Sequence, residues 1–176
     1  MNLIETRPVL RFLILATGLY ILWYVVYDLW LHPTGQLDSI VVENSIVLAK
    51  NVLAGLGYSV FTDTRMIGVA GAGGVWIGDP CNGVQLFALF AGFIIAFPGL
   101  GIHKLWFIPA GILSIHLLNV MRICALILIQ KHAPGSLNFN HTYTFTFFMY
   151  AFIFGTWMLW VKKALPEKGD HSKEHS

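Results

Sequence analysis

Residues 105–130 read LWFIPAGILSIHLLNVMRICALILIQ, an apolar run with one charge in it, Arg122. Crossing the hydrocarbon core of a bilayer as a helix takes roughly 20 such residues. A run this long and this evenly apolar has no polar face to turn towards water. The segment therefore predicts a transmembrane helix. Val9–Leu31, Asn82–Phe97 and Thr142–Val161 have the same character. The second of these is short unless it continues past Pro98-Gly99, a dipeptide that reads as a turn. The fold expected is an all-α integral membrane protein with about four transmembrane helices.

Composition points the same way. Hydrophobic residues make up 56% of the chain and charged residues 11%, with a mean hydropathy of +0.68. That leaves too few charges to cover a soluble surface, so lipid must cover it. The net charge of +2 does not mark a nucleic-acid binder, because the basic residues flank apolar runs and form no patch with interleaved aromatics. The first run continues through aromatics towards Leu31 without a small-residue cleavage pattern, so it is expected to stay as an anchor. Cys81 and Cys124 allow one bridge at most and form no disulfide framework. The length suits a single membrane domain over residues 1–176.

Lysine and arginine are retained on the cytoplasmic side of membrane segments, and they set the expected orientation. Arg7 and Arg11 lie at the head of the first span, Lys104 between the second and third, and Lys162, Lys163 and Lys168 after the fourth. With four spans all three groups fall on one side. The expectation is a multi-pass protein of the inner (cytoplasmic) membrane with both termini and the polar tail 162–176 in the cytoplasm. His32–Pro80 and Lys131–His141 then face outward, although Lys50, Arg65 and Lys131 place some positive charge there.

The outer segment 37–80 has two parts. From Leu37 to Leu56 apolar residues recur at helical spacing against Asp38, Glu43, Asn44, Lys50 and Asn51, which predicts an amphipathic helix closed by Gly55 and Gly57. Tyr58–Phe61 and Met66–Val69 then read as strands around Thr62-Asp63-Thr64. The glycine-rich Ala70–Gly74 and Val75-Trp76-Ile77 follow, so a small hairpin or meander is expected. The glycines lack the Gly-Lys-Ser/Thr ending of a phosphate loop and read as a turn.

A few residues here have reactive or charged side chains. Asp79-Pro80 before Cys81 predicts a helix start, with Asp79 as cap and Pro80 at the first position. The thiol would then sit in the first helical turn, where free amides and the helix dipole favour a thiolate while Asp79 opposes it. The plainer alternative is a buried cysteine packing as a small hydrophobe. Arg122 costs about 2.5 to 3.5 kcal/mol inside a membrane segment, so it either faces a protein interior with a partner or snorkels to the headgroups. Asn119, three residues earlier, shares its face. His141 opens the fourth span and suits the role of base, though it could equally be an interfacial residue. His116 and Gln85 are candidates, with Asn119 and Asn82, to bind substrate or support the reactive side chains, although helix packing is the more ordinary duty for His116. Following the chain up and down through the bilayer brings Cys81, Arg122 and His141 to similar depth near the outer face. Together they supply a nucleophile, a cation and a proton acceptor, the set that acyl transfer needs.

Cys81-Asn82-Gly83 at one helix start, Asn119-Val120-Met121-Arg122-Ile123 in the next helix and His141 opening a third resemble the ordered cysteine, arginine and histidine motifs of the exosortase and archaeosortase family. The resemblance covers roughly Asp79–Val161. It implies a multispanning cysteine transpeptidase that processes C-terminal sorting signals of exported surface proteins, in a compact form with about four spans. Family members commonly carry Ser or Ala after the cysteine, where this chain has Asn82. It further implies that Cys81 attacks a peptide carbonyl, that His141 moves the proton, and that Arg122 stabilises the oxyanion or holds the substrate backbone. The partners implied are exported proteins with a C-terminal transmembrane signal, together with membrane lipid. No metal or organic cofactor is required. A different class of function also fits the residues: a non-enzymatic membrane scaffold or small transport subunit in which Arg122 binds an anionic lipid or solute.

The orientation is open to a direct test with reporter fusions. A reporter active only outside the cytoplasm is expected to work when fused near Thr62 and to be silent when fused after Lys163. Activity at the second position would remove the four-span arrangement.

Overall fold

A computed structural model describes residues 3–98 and 101–164, with side chains described from Val9 onward. The expected tail beyond Ala164, with Lys168, His171 and His175, lies outside these residues, as do Gly99 and the side chain of Arg7.

The chain folds as an all-α membrane protein with a small sheet. Three helical stretches are long and apolar enough to cross a membrane: Val9–Thr34, Gly101–His132 and Pro134–Ala164. Helix α1 (Leu3–Trp23) runs on through wider, π-type turns at Tyr24–Leu31. It ends at Gly35, whose φ of +67° ordinary side chains rarely adopt. Helix α2 (Gln36–Gly55) follows at once. Its buried face consists of Asp38, Val42, Ser45, Ile46, Ala49 and Leu53, recurring every three or four residues. Strands β1 (Val60–Asp63), β2 (Met66–Val69) and β3 (Val75–Trp76) then form an antiparallel sheet in the order β1-β2-β3. The first strand lies two residues later than expected, because Asp63 pairs with Met66 across a tight turn at Thr64 and Arg65.

Helix α3 (Val84–Ala96) is the short apolar helix of the set. Its 13 residues rise about 20 Å at 1.5 Å each, against a hydrocarbon core about 30 Å thick. The expected span from Asn82 is thus trimmed at both ends. Gly83 at φ +85° precedes the helix, and Phe97, which precedes Pro98, is extended. Lys104 donates to the carbonyls of Ile95 and Phe97 and so closes the end of α3. Helix α4 (Gly101–His132) packs along α3 so closely that a Cβ on Gly111 would lie 2.1 Å from the Phe90 ring. Helix α5 (Phe145–Ala164) is reached through short helical turns and a π-type stretch, Asn140–Thr144.

Two apolar cores result. One joins α2 and the sheet to the later half of α4 through Val42, Leu53, Ile67, Val120, Ile123 and Ile127. The other joins α3, the earlier half of α4 and α5 through Phe90, Ile94, Ile115, Ile153 and Trp160. They meet along α4 between Ile115 and Val120, next to the positions of Asn119 and Arg122. Helix α1 stays peripheral. The edge of Phe12 meets Phe93, ring centroids 5.7 Å apart, and Phe93 in turn stacks on Trp157 at 4.3 Å.

Candidate active site

The turn that carries Cys81 differs from the expected helix start. Asp79–Cys81 form a single 3₁₀ turn, closed by Cys81 N–H to Gly78 O (2.9 Å) and Asn82 N–H to Asp79 O (3.1 Å). Gly83 then takes its left-handed conformation, and Asn82 Oδ1 accepts the amide of Val84 at 2.8 Å, which starts α3 afresh. Asn82, not Asp79, is therefore the capping side chain. Asp79 is committed elsewhere, as the ion-pair partner of Arg65. Cys81 precedes the helix instead of sitting in its first turn, so the dipole argument for the thiol gives way to its direct neighbours.

Those neighbours are the two residues that the resemblance implies. Cys81 Sγ lies 3.1 Å from His141 Nε2, across sixty positions of sequence. Arg122 Nη2 is 3.2 Å from the same ring nitrogen and 3.9 Å from the sulfur. A guanidinium can only donate, so this contact is a hydrogen bond in the tautomer that leaves Nε2 unprotonated. Nε2 has one lone pair, so it takes the thiol's proton only when Arg122 does not hold that lone pair. His141 reaches inward from the π-type stretch Asn140–Thr144, a widened turn of the kind frequent at functional sites. Arg122 does not snorkel: its Nη2 is engaged inside the bundle and its Nε is buried.

Asn119 is fully buried and donates from Nδ2 to the Cys81 carbonyl at 2.8 Å, fixing the turn from the α4 side. Its Oδ1, like Arg122 Nε, is buried without a partner among the described residues. One turn of α4 therefore offers an unused acceptor and an unused donor beside the thiol. His116 is not brought to this group. Its Nε2 pairs with Asn44 Oδ1 at 2.8 Å, and the ring ties α4 to α2. Cys124 is also apart, buried against the Ala49 carbonyl. Gln85 is exposed and lines a cleft of about 620 Å³ between α1, α3 and α5. Phe12, Phe93 and Trp157 form apolar walls of the cleft, and Asp28, Gly83 and Arg122 also line it.

Behind the turn lies a polar cluster that the sequence reading left unassigned. Asp38 is fully buried and accepts from Tyr27 Oη (2.6 Å) and Asn82 Nδ2 (2.5 Å), with His32 Nδ1 at 2.9 Å. Burial alone would push its carboxyl up. The hydrogen bonds from Tyr27, His32 and Asn82 outweigh that and hold it below the usual carboxylate range. The ionised form therefore stabilises the fold at neutral pH, and this contribution is lost as acidification protonates the group. His32, Asp38 and Asp79 are the one grouping among the described residues with ligand atoms close enough for a metal. Their oxygens already serve the contacts just described and the Arg65 pair, so the cluster reads as a closed network.

The family model described as transmembrane exosortase (Exosortase_EpsH) matches residues 3–161. No curated protein and no solved structure matches the chain.

The two cysteines make the geometry testable in one experiment. In the native protein a thiol-alkylating reagent is expected to label Cys81 well before Cys124, and His141→Ala is expected to slow Cys81 labelling by removing the proton acceptor. Faster labelling of Cys124 would contradict the arrangement.

Proposed function

The chain belongs to the transmembrane exosortase family, and from that premise we propose that it is a membrane-embedded cysteine transpeptidase or peptidase acting on C-terminal sorting signals of exported proteins. The observation that carries the reading is the convergence of Cys81, Arg122 and His141, from three separate elements, within hydrogen-bonding range of one ring nitrogen.

The chemistry follows from those positions. His141 Nε2 takes the Cys81 proton as the sulfur attacks the substrate carbonyl, and a tetrahedral oxyanion forms. Arg122 stands close enough to the sulfur to reach an oxygen on the attacked carbon, and its charge offsets the one that develops there. The carbon–nitrogen bond breaks, His141 returns its proton to the leaving amine, and a thioester on Cys81 remains. Water, an amine or a lipid nucleophile then attacks that thioester, the thiol is released and the product leaves. A peptide group presents one donor and one acceptor, and the buried Asn119 Oδ1 and Arg122 Nε are complementary to such a pair.

The cleft beside Arg122 supports delivery of the substrate from the bilayer. Its apolar walls suit a membrane-spanning segment, and a peptide leaving that segment would pass Gly83 and Arg122 on the way to the thiol. In the orientation set by lysine and arginine, the site faces outward from the inner membrane. A scaffold built around an anion-binding Arg122 leaves the Cys81–His141 contact without a purpose.

Mass spectrometry of membrane-anchored surface proteins, with and without the chain, tests the activity. Cys81→Ala is expected to abolish C-terminal processing. Arg122→Lys keeps the charge but loses the planar fork of donors. It is expected to accumulate normally and to process substrate roughly a hundredfold to a thousandfold more slowly, the range for loss of one oxyanion donor. Undiminished processing by Arg122→Lys at matched abundance would reduce Arg122 to a bulk charge.

A further inference from the structure

We propose that Asp38 is a positioning residue for the thiol: through Asn82 it fixes the turn that holds Cys81 against His141. The inference rests on the reading of Cys81 as nucleophile and adds to it a residue on a different helix.

The argument begins with what Asn82 does. Its side chain is 1% exposed and has two ends in use, Oδ1 on the Val84 amide and Nδ2 on Asp38. Rotating it would break both bonds and leave buried polar groups unsatisfied inside the protein. The residue that follows Cys81 is therefore pinned to α2. A second tie runs parallel to it: Arg65 donates to Ser39 Oγ at 3.1 Å and pairs with Asp79, two residues before the thiol. Asp38 and Ser39 are neighbours in the first turn of α2, and their ties fall on opposite sides of Cys81. Asn119 holds the Cys81 carbonyl from α4. With its backbone fixed from both flanks and from α4, the thiol has little freedom left beyond its own side-chain rotation.

Stability alone does not explain a buried carboxylate here. Replacing a buried charge by apolar packing is often neutral or stabilising, and Val42, Ile46, Ala49 and Leu53 make most of this face of α2 apolar. Nor does the charge help the thiolate directly, because a carboxylate disfavours a second negative charge nearby. Arg122 and His141 face the sulfur, while Tyr27, His32 and Asn82 face Asp38. Positioning and charge thus predict opposite signs when Asp38 loses its charge. Loss of position separates the sulfur from His141 and makes it less reactive, whereas loss of a neighbouring negative charge makes it more reactive.

The experiment is alkylation of the full-length chain in native membranes with iodoacetamide across a range of pH, each cysteine being read by mass spectrometry. Cys124, buried in the core of α2 and α4, reports unfolding within the same sample. For Asp38→Asn we expect Cys81 labelling at neutral pH to slow by about tenfold, equivalent to one unit along the pH profile, with Cys124 still protected. An unchanged or accelerated Cys81 overturns the proposal. If Cys124 becomes labelled, Tyr27→Phe decides. That variant keeps the ring and removes one bond to Asp38, so a smaller slowing supports the proposal and none overturns it. Indifference of Cys81 to His141→Ala would instead refute the nucleophile reading. A slowing by His141→Ala without one by Asp38→Asn refutes this inference alone.

Discussion

A guanidinium in the middle of a long apolar helix governs the arrangement of this protein. Hydrocarbon offers Arg122 no hydrogen-bond partner, and insertion alone costs about 2.5 to 3.5 kcal/mol. The fold meets that cost by turning the side chain towards polar groups from other elements, the ring of His141 and the sulfur of Cys81. Asn119 lies on the same face, three residues earlier, and brings a second polar group to the seam. The seam can exist because the two apolar cores do not merge across α4. One packs on its later half against α2 and the sheet, the other on its earlier half against α3 and α5.

The same seam accounts for the irregular backbone around it. Regular helices satisfy their own amides and leave side chains in fixed registers, which does not suit residues that must all point at one spot. The departures occur where such residues sit: π-type turns at Tyr24–Leu31 and Asn140–Thr144, a 3₁₀ turn at Asp79–Cys81 and a left-handed glycine at Gly83. Tyr27, His141 and Cys81 each belong to one of these segments. Widened helical turns recur at functional sites in general, and here one aims His141 at the Cys81 sulfur and the other aims Tyr27 at Asp38.

The sequence revealed the spans more readily than the turn. Arg122 in an apolar run, a histidine at the head of the last helix and the order of the three residues were enough to predict that the three side chains meet, since alternating direction along antiparallel helices leaves few alternatives. The helix start at Cys81 was misread because Asp-Pro is a strong helix-opening signal. What overrides it is long-range: Arg65 claims Asp79, leaving Asn82 to cap. His116 shares a helical stripe with Asn119 but serves the helix-packing duty expected of it, with Asn44 on α2 as a partner that no local pattern reveals. Asp38 was counted with the polar face of α2 for being acidic. Its position told otherwise, because it lies four residues before Val42 on the stripe that continues through Ala49 and Leu53. A charge on a buried stripe demands partners, and asking for them leads to Asn82.

That link also gives physical content to Asn82, which stands where the resemblance leads one to expect serine or alanine. A serine or alanine after Cys81 cannot bridge the Val84 amide and a carboxylate on α2. A serine hydroxyl reaches one of them at most, and an alanine neither. With either residue in this chain, Asp38 would lose the donor that ties it to the turn, keeping only Tyr27 and His32 from the end of α1. The carboxylate would remain buried and the turn would be released. Asn82 and Asp38 are thus intelligible as a pair, each satisfying a polar group that the other leaves in an apolar setting. The pair connects α2 to the Cys81 turn by a bond that is short, buried and shielded from water. In a chain whose helices are held together mainly by non-directional apolar packing, bonds of this kind are what can set the sulfur to the fraction of an ångström that its contact with His141 requires.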